Sequence, residues 1–167
     1  MFLPIVLDYD FAKILVADHD THTAYDGKSQ IRTYCEQNTT IHQLYWSSDQ
    51  LDFERLGAML DMEVITVSSI RQDPGNVMPY HRDTFYKIRE RIPNCTGHCV
   101  RANIFLEDSR LGHMIQFTLD NRHYAVTEWK ANTGFMFDST IFHLSCNAGL
   151  EPKYTLQISG FYLGQEQ

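Results

Sequence analysis

The sequence lacks any apolar run long enough to cross a bilayer, so no membrane span is expected. Its first seven residues are apolar, but no basic stretch precedes them and no small-residue cleavage site follows them, so they predict a first strand rather than a secretion signal. The cysteines follow no framework spacing, which favours reduced thiols in a cytoplasmic protein over a set of disulfides. They are Cys35, Cys95, Cys99 and Cys146.

Basic charge is also scarce. The net charge is −7, whereas proteins that bind duplex nucleic acid usually carry a basic surplus that displaces counterions from phosphates. A nucleic-acid partner is therefore not favoured. One local basic run, within "HRDTFYKIRER" at 81–91, contains Arg82, Lys87, Arg89 and Arg91.

The stretch "CTGHC" places Cys95, His98 and Cys99 close together, where they could contribute to a zinc site. A structural zinc needs four ligands, and no second pair of ligands has a matching spacing. A loop that carries two thiols is the simpler interpretation, and whether these side chains bind anything stays open.

Internal repeats, linkers and low-complexity tracts are absent too, so the 167 residues predict one domain, 1–167. Residues 1–62 mix strand-like and helix-like patterns and would support a core, with a helix at 47–61 that starts from Ser48 as its N-cap. Residues 63–163 contain about eight short segments with the alternation and turn residues of β-strands. Eight antiparallel strands in two sheets predict a mainly β, cupin-like jelly roll, flanked by a few helices near the N-terminus.

Three side chains in this β region suit one metal ion. His81 and Asp83 are two residues apart in "MPYHRDTFY", so an extended strand would point both to the same face. His143 follows a turn in "FDSTIFHLSCN" and would lie on a late strand, which a jelly roll can place beside an early one. Two imidazoles and one carboxylate on one face of an octahedron form the facial triad of non-haem Fe(II) oxygenases. We therefore predict that these three residues form the metal-binding catalytic centre.

With Lys153 ten residues beyond the second histidine, residues 63–163 resemble the Fe(II)/2-oxoglutarate-dependent dioxygenase superfamily. The similarity is to the aspartyl/asparaginyl β-hydroxylases and to the prolyl 4-hydroxylases. The first group is matched at Pro79, His81, Arg101, Trp129, Gly134, Phe137, Asp138, Ser139, His143 and Asn147. The resemblance implies a double-stranded β-helix, bound Fe(II), 2-oxoglutarate and O2 as cosubstrates, and a hydroxylation that releases succinate and CO2.

The chain departs from the aspartyl/asparaginyl pattern at three places. The Arg-x-His motif of that group reads Arg101-Ala102-Asn103 here, and Lys153 stands where the group usually has arginine, which makes it similar to prolyl 4-hydroxylases. The carboxylate Asp83 is present, although animal members of the group lack it. Halogenases of the superfamily also lack this carboxylate, so Asp83 favours hydroxylation or another standard oxidation, and the departures leave the substrate open.

The resemblance gives Lys153 a role, because it implies that this ammonium binds the C5 carboxylate of 2-oxoglutarate. Thr155 lies two residues on, on the same strand face, and could add a hydroxyl contact. The alternative for Lys153 is a surface lysine at the start of a strand.

Arg101 lies in an apolar run, and a buried arginine needs an anionic partner. The C1 carboxylate of 2-oxoglutarate and Asp138 are the two candidates. Asn103 and Gln116 occupy positions that could face the site, or they could be satisfied polar groups of the core. Trp129 is expected in the core.

The expected substrate is an aliphatic C–H of a protein or peptide residue, since both resembled groups act on proteins. A β core of about 100 residues also has few insertions with which to enclose a small molecule. A free amino acid, another small molecule or a nucleic acid remain alternatives for the same chemistry, and the oligomeric state is open. Two other classes are a cupin-like protein that binds a different metal and a non-enzymatic jelly-roll interaction module, which would purify without metal.

Overall fold

The computed structural model describes residues 1–23, 40–94 and 96–164, and two antiparallel sheets face each other within this part of the chain. The larger sheet has the order β1 (Phe2–Val6), β9 (Thr133–Asp138), β6 (Cys99–Phe105), β11 (Lys153–Tyr162), β4 (Met62–Gln72), β3 (Thr40–Trp46) and β2 (Asp20–Thr23). The smaller sheet has the order β5 (Val77–His81), β10 (Phe142–Asn147), β7 (His113–Leu119) and β8 (Arg122–Val126). The jelly-roll prediction is confirmed, and the eight strands expected after residue 62 are β4 to β11.

Three helices lie among the described residues, namely α1 (Ala12–Leu15), α2 (Phe53–Leu60) and α3 (Tyr86–Arg91). The prediction that a helix starts from Ser48 is wrong, because α2 begins later. Its N-cap is Asp52, whose carboxylate accepts a hydrogen bond of 2.9 Å from the Arg55 backbone N–H. No helix in the described ranges is long and apolar enough to cross a membrane.

The alternation of side chains along β6 separates the two faces of the larger sheet. Val100, Ala102 and Ile104 belong to a buried cluster with residues of α1 and α2, so this face is covered by the N-terminal helices. The intervening side chains point between the sheets, where Phe105 packs in a second cluster with Phe117 of β7. The space between the sheets is therefore apolar and aromatic at one side and holds the polar residues described below at the other.

A two-residue hairpin joins β7 to β8, as the turn residues in "DNRH" predict. Leu119 is paired with Arg122, and the two residues between them, Asp120 and Asn121, have φ of 48° and 60°. Asp and Asn tolerate this left-handed conformation, which the tight turns of hairpins require.

Candidate metal centre

The pairing of β5 with β10 brings the two predicted histidine ligands together. His143 is directly opposite His81, and their ring centroids are 4.3 Å apart. The Nδ1 of His81 lies 2.6 Å from the Pro79 carbonyl oxygen, and the Nδ1 of His143 lies 3.3 Å from that of Ile141. Because a carbonyl oxygen can only accept, each Nδ1 carries the proton and donates, so Nε2 is the atom that can ligate a metal.

Asp83 follows the end of β5, so the extended pairing does not reach it, yet its carboxylate still faces the two histidines. One possible ligand atom from each of His81, Asp83 and His143 lies within 4.8 Å of the others, and no other such group occurs in the described ranges. Asp83 is only 7% exposed, and its Oδ2 is buried without a hydrogen-bond partner. A buried carboxylate oxygen without a partner is costly. The three residues therefore fit a metal ion, whose binding to this carboxylate would offset that cost.

Burial sets the protonation states that a metal requires. It lowers the pKa of His143 to about 4, although the Asp83 carboxylate opposes this shift, and it also lowers the pKa of His81. Burial alone would raise the pKa of Asp83, but Arg101 and then the two histidines outweigh it and hold that pKa below its usual value. Near neutral pH the site thus offers two neutral imidazoles and one carboxylate, which are the forms that bind a metal.

Arg101 of β6 forms an ion pair with the carboxylate of the triad. Its Nη1 lies 3.1 Å from Asp83 Oδ1 and donates to Gln157 Oε1 at 3.0 Å, while its Nε donates to Ser159 Oγ at 3.2 Å. Its guanidinium also lies 5.9 Å from the ring centroid of Phe85. Asp83 Oδ1 thus lies between the Arg101 guanidinium and the histidines, since it is also 3.9 Å from His81 Nε2.

Asp138, one of the two expected partners of Arg101, does not contact it, and Arg101 pairs with Asp83 instead. Asp138 accepts hydrogen bonds instead from the Met1 amino group and from the Thr140 backbone, the latter at 2.8 Å. His98 of the "CTGHC" stretch lies 3.2 Å from the same carboxylate. Cys95 lies outside the described residues, so a metal site in that stretch stays untested.

Lys153, at the start of β11, points between the sheets and is only 2% exposed, so it is not a surface lysine. Its Nζ donates to the carbonyl oxygens of Met114 at 2.9 Å and Cys146 at 3.0 Å, and to Ser145 Oγ. Burial lowers its pKa to about 7. In the described ranges no carboxylate pairs with this ammonium, and all its acceptors are neutral.

A hydrogen-bond network that the sequence did not reveal fixes the position of Lys153. Ser145 Oγ donates to Gln72 Oε1 at 2.7 Å, and the Asn147 amide donates to the Gln72 carbonyl at 2.9 Å. Gln72 is opposite Lys153 on the neighbouring strand β4. The contacts cross from one sheet to the other, so no pattern within a single strand could indicate them.

Asn103 and Thr155 are buried on the inner face of the larger sheet, on β6 and β11. The Oδ1 of Asn103 is buried without a hydrogen-bond partner, so this side chain has spare capacity to bind a ligand. Gln116 alternates with the buried Ile115 and Phe117 and therefore lies on the outer face of the smaller sheet, away from the site. Gln157 and Ser159, which accept hydrogen bonds from Arg101, lie on the same face of β11 as Lys153 and Thr155. The alternation along this strand could therefore have indicated that they face the site.

Trp129 lies in the core, as expected, and stacks on Phe105 with ring centroids 4.1 Å apart.

No family model matches the sequence, and no curated protein matches it either. Solved structures do match. The chain is 12% identical to the non-heme alpha-ketoglutarate-dependent epimerase SnoN from nogalamycin biosynthesis, covering 96% of this chain and 78% of that one, with a TM-score of 0.62. It is 11% identical to an oxidoreductase of the 2OG-Fe(II) oxygenase family from Burkholderia pseudomallei, covering 100% and 88%, with a TM-score of 0.60.

A Pseudomonas putida prolyl-4-hydroxylase is 16% identical, with 80% of this chain and 75% of that one covered and a TM-score of 0.52. At these identities the similarity concerns the fold. The chain therefore shares the jelly-roll fold of these solved structures, with a His-Asp-His cluster between its sheets.

Proposed function

We propose that the protein is an Fe(II)/2-oxoglutarate-dependent dioxygenase that hydroxylates an aliphatic C–H of a protein or peptide residue. The observation that carries the proposal is the convergence of His81, Asp83 and His143 in this fold, with one possible ligand atom of each within 4.8 Å of the others. Two imidazoles and a carboxylate with open positions beside them are the donor set of non-haem Fe(II) oxygenases. A solved complex of SnoN contains Fe3+ and alpha-ketoglutarate, which agrees with this choice of metal and cosubstrate.

Iron would be held by Nε2 of His81, Nε2 of His143 and the carboxylate of Asp83. With 2-oxoglutarate also bound, the site would couple the conversion of 2-oxoglutarate and O2 to succinate and CO2 with hydroxylation of a substrate C–H. The Pro79 and Ile141 carbonyls fix the orientation of the two rings.

Arg101 would support the metal centre through its contact with Asp83, whether or not it also contacts the cosubstrate. Its guanidinium lies 3.1 Å from Asp83 Oδ1 and holds the pKa of Asp83 below its usual value, which keeps the carboxylate ionised and in place. Gln157 and Ser159 hold the guanidinium in that position.

Lys153 would bind the far carboxylate of 2-oxoglutarate. Its ammonium is buried between the sheets with neutral acceptors only, so an anion that entered this space would meet an uncompensated cation. Thr155 lies on the same face of β11, and the unsatisfied amide of Asn103 lies on the inner face of the adjacent strand β6. Both are placed to add hydrogen bonds to the same ligand.

The protein or peptide substrate is supported by the sequence resemblance to two groups of protein hydroxylases. The basic run that follows His81 favours a segment with acidic residues. A small-molecule substrate is the alternative, and it is favoured by the fold similarity to SnoN, which has been solved in complex with nogalamycin RO.

Succinate formation tests the reaction class. Purified protein should convert 2-oxoglutarate to succinate when Fe(II) and O2 are present, and a panel of peptides, free amino acids and nucleic acids should identify the class that increases the rate. His143→Ala should remove the activity, whereas Lys130→Gln, far from the triad, should not. Absence of succinate with every panel would contradict the proposed reaction, and stimulation by free amino acids alone would contradict the substrate class.

A further inference from the structure

An exposed row of side chains crosses the smaller sheet on the reverse side of the histidine ligands. Phe142 directly precedes His143 and therefore faces outwards; it is paired with Thr118 of β7, which is paired with His123 of β8. At the other end, the Arg82 guanidinium lies 5.7 Å from the Phe142 ring centroid. We call Arg82, Phe142, Thr118 and His123, together with Tyr80, the outer row.

Contacts between its members hold the outer row in one arrangement. The Tyr80 and Phe142 rings are stacked, with centroids 5.1 Å apart, yet each side chain remains 37% exposed. Tyr80 Oη donates to Thr118 Oγ1 at 2.8 Å, and Thr118 Oγ1 lies 3.0 Å from His123 Nδ1. A surface that is already ordered loses little conformational entropy when a partner binds.

Its composition is that of a protein interface. Tyr, Phe and Arg are enriched in such interfaces, where a few aromatic and arginine side chains supply most of the binding energy. Four strands at their usual spacing span roughly 14 Å, which an extended polypeptide covers with about four residues. This width suits a segment of polypeptide better than a small metabolite.

The charge at the edge of the row indicates the character of that segment. Lys87 is paired with Glu90 at 3.2 Å, and Arg91 donates to the Ile65 carbonyl at 2.7 Å, so these two cations are already engaged. Arg82 instead lies on the exposed Phe142 ring, between two residues of the triad in sequence. It therefore presents positive charge at one end of the row, next in sequence to His81 and Asp83.

We propose that the outer row binds an acidic segment of the protein substrate beside the residue that enters the site. This inference rests on the proposed function, because it assigns the row to the substrate of that reaction. The carboxylates of the segment would meet Arg82, and its apolar side chains would pack against Tyr80 and Phe142.

Binding can be tested without turnover by fluorescence anisotropy on the iron-free protein. The probes are labelled peptides of equal length built from Glu, Pro, Leu and Ser, and matched peptides with Gln or Lys in place of every Glu. The acidic peptide should bind most tightly of the three, and its affinity should fall as the salt concentration rises. Because neither iron nor catalysis is needed, failure of this test and failure of the proposed reaction can be distinguished.

Two variants and one matched control assign the binding to the row. Arg82→Gln and Tyr80→Ala should each raise the dissociation constant of the acidic peptide about fivefold or more, as expected for residues that contribute strongly to an interface. Lys130→Gln removes the same charge at a distant ion pair with Asp108 and should leave affinity unchanged. Thermal unfolding and Fe(II) binding of each variant should match the unsubstituted protein, which excludes a folding defect.

Three outcomes would overturn the proposal. One is equal affinity for the acidic and the lysine peptides. Another is an equal loss in Arg82→Gln and Lys130→Gln, which would mean that binding follows net charge alone. The third is tighter binding of heparin than of the acidic peptide through the same side chains, which would make the partner an anionic polysaccharide.

Discussion

The buried position of Lys153 makes the affinity for 2-oxoglutarate depend on pH in a way that its replacement should abolish. Burial lowers the pKa of this ammonium to about 7, so in the ligand-free protein it loses its proton as pH rises through 7. The carboxylate of 2-oxoglutarate would favour the charged form and return the pKa towards its ordinary value of 10.5. Binding then takes up a proton, and affinity must fall as pH rises above 7.

The size of the effect follows from that shift. Between pH 7 and pH 9 the neutral fraction of Lys153 grows until each further pH unit weakens binding about tenfold, a total of roughly fiftyfold. The histidine ligands do not interfere, because burial lowers the pKa of both, that of His143 to about 4, and both stay neutral above pH 7. The dissociation constant should be measured by calorimetry, without oxygen, on Fe(II)-loaded protein.

Lys153→Arg is the matched control, because arginine remains charged throughout this pH range. The affinity of this variant for 2-oxoglutarate should therefore depend little on pH. Lys153→Met should bind 2-oxoglutarate weakly at every pH. Its binding free energy should be less favourable by about 2–5 kcal/mol, because one partner of a buried charge pair is gone. A flat profile for the unsubstituted protein, or the same slope in Lys153→Arg, would refute the assignment of Lys153 as the cosubstrate anchor.

Three further substitutions test the surroundings of the site. Arg101→Gln should raise the pKa of Asp83 and weaken Fe(II) binding in a calorimetric titration, most strongly at low pH; unchanged affinity from pH 5 to pH 8 would contradict its role. Gly134→Ala would place a Cβ 2.0 Å from the Asn103 carbonyl oxygen, so a lowered unfolding temperature is expected, and a normal one would show that β6 and β9 can separate without cost. Phe117→Ala should lower the free energy of unfolding in urea by about 3–5 kcal/mol, because Phe117 is fully buried between the sheets; a loss below 1 kcal/mol would contradict that position.

The sequence predicted the β core well because its signals are local. Alternation along each strand and the turn residues between strands depend on neighbours in the chain, and they located all eight strands after residue 62. The helix at 47–61 was misplaced at its start, because Ser48 and Asp52 are both good N-caps and only the packing of Leu56 and Leu60 selects between them. His81, Asp83 and His143 were recognisable because their spacing fits a metal.

The partners of the buried charges could not be predicted in the same way. Arg101 meets Asp83 across the space between a strand of one sheet and the segment that follows a strand of the other. The contacts of Lys153 with Ser145 and Gln72 likewise depend on how closely the two sheets approach. Such distances are set by the packing of the whole core, and no pattern within one strand contains them.

The most direct test of the central claim is an anaerobic titration of metal-free protein with Fe(II), followed by 2-oxoglutarate. The triad predicts one equivalent of iron, then one equivalent of 2-oxoglutarate that binds tightly only after the iron. His81→Ala and His143→Ala should lose both, while Lys153→Met should keep the iron and lose the tight binding of 2-oxoglutarate. Iron binding that is unchanged in both histidine variants would contradict the account.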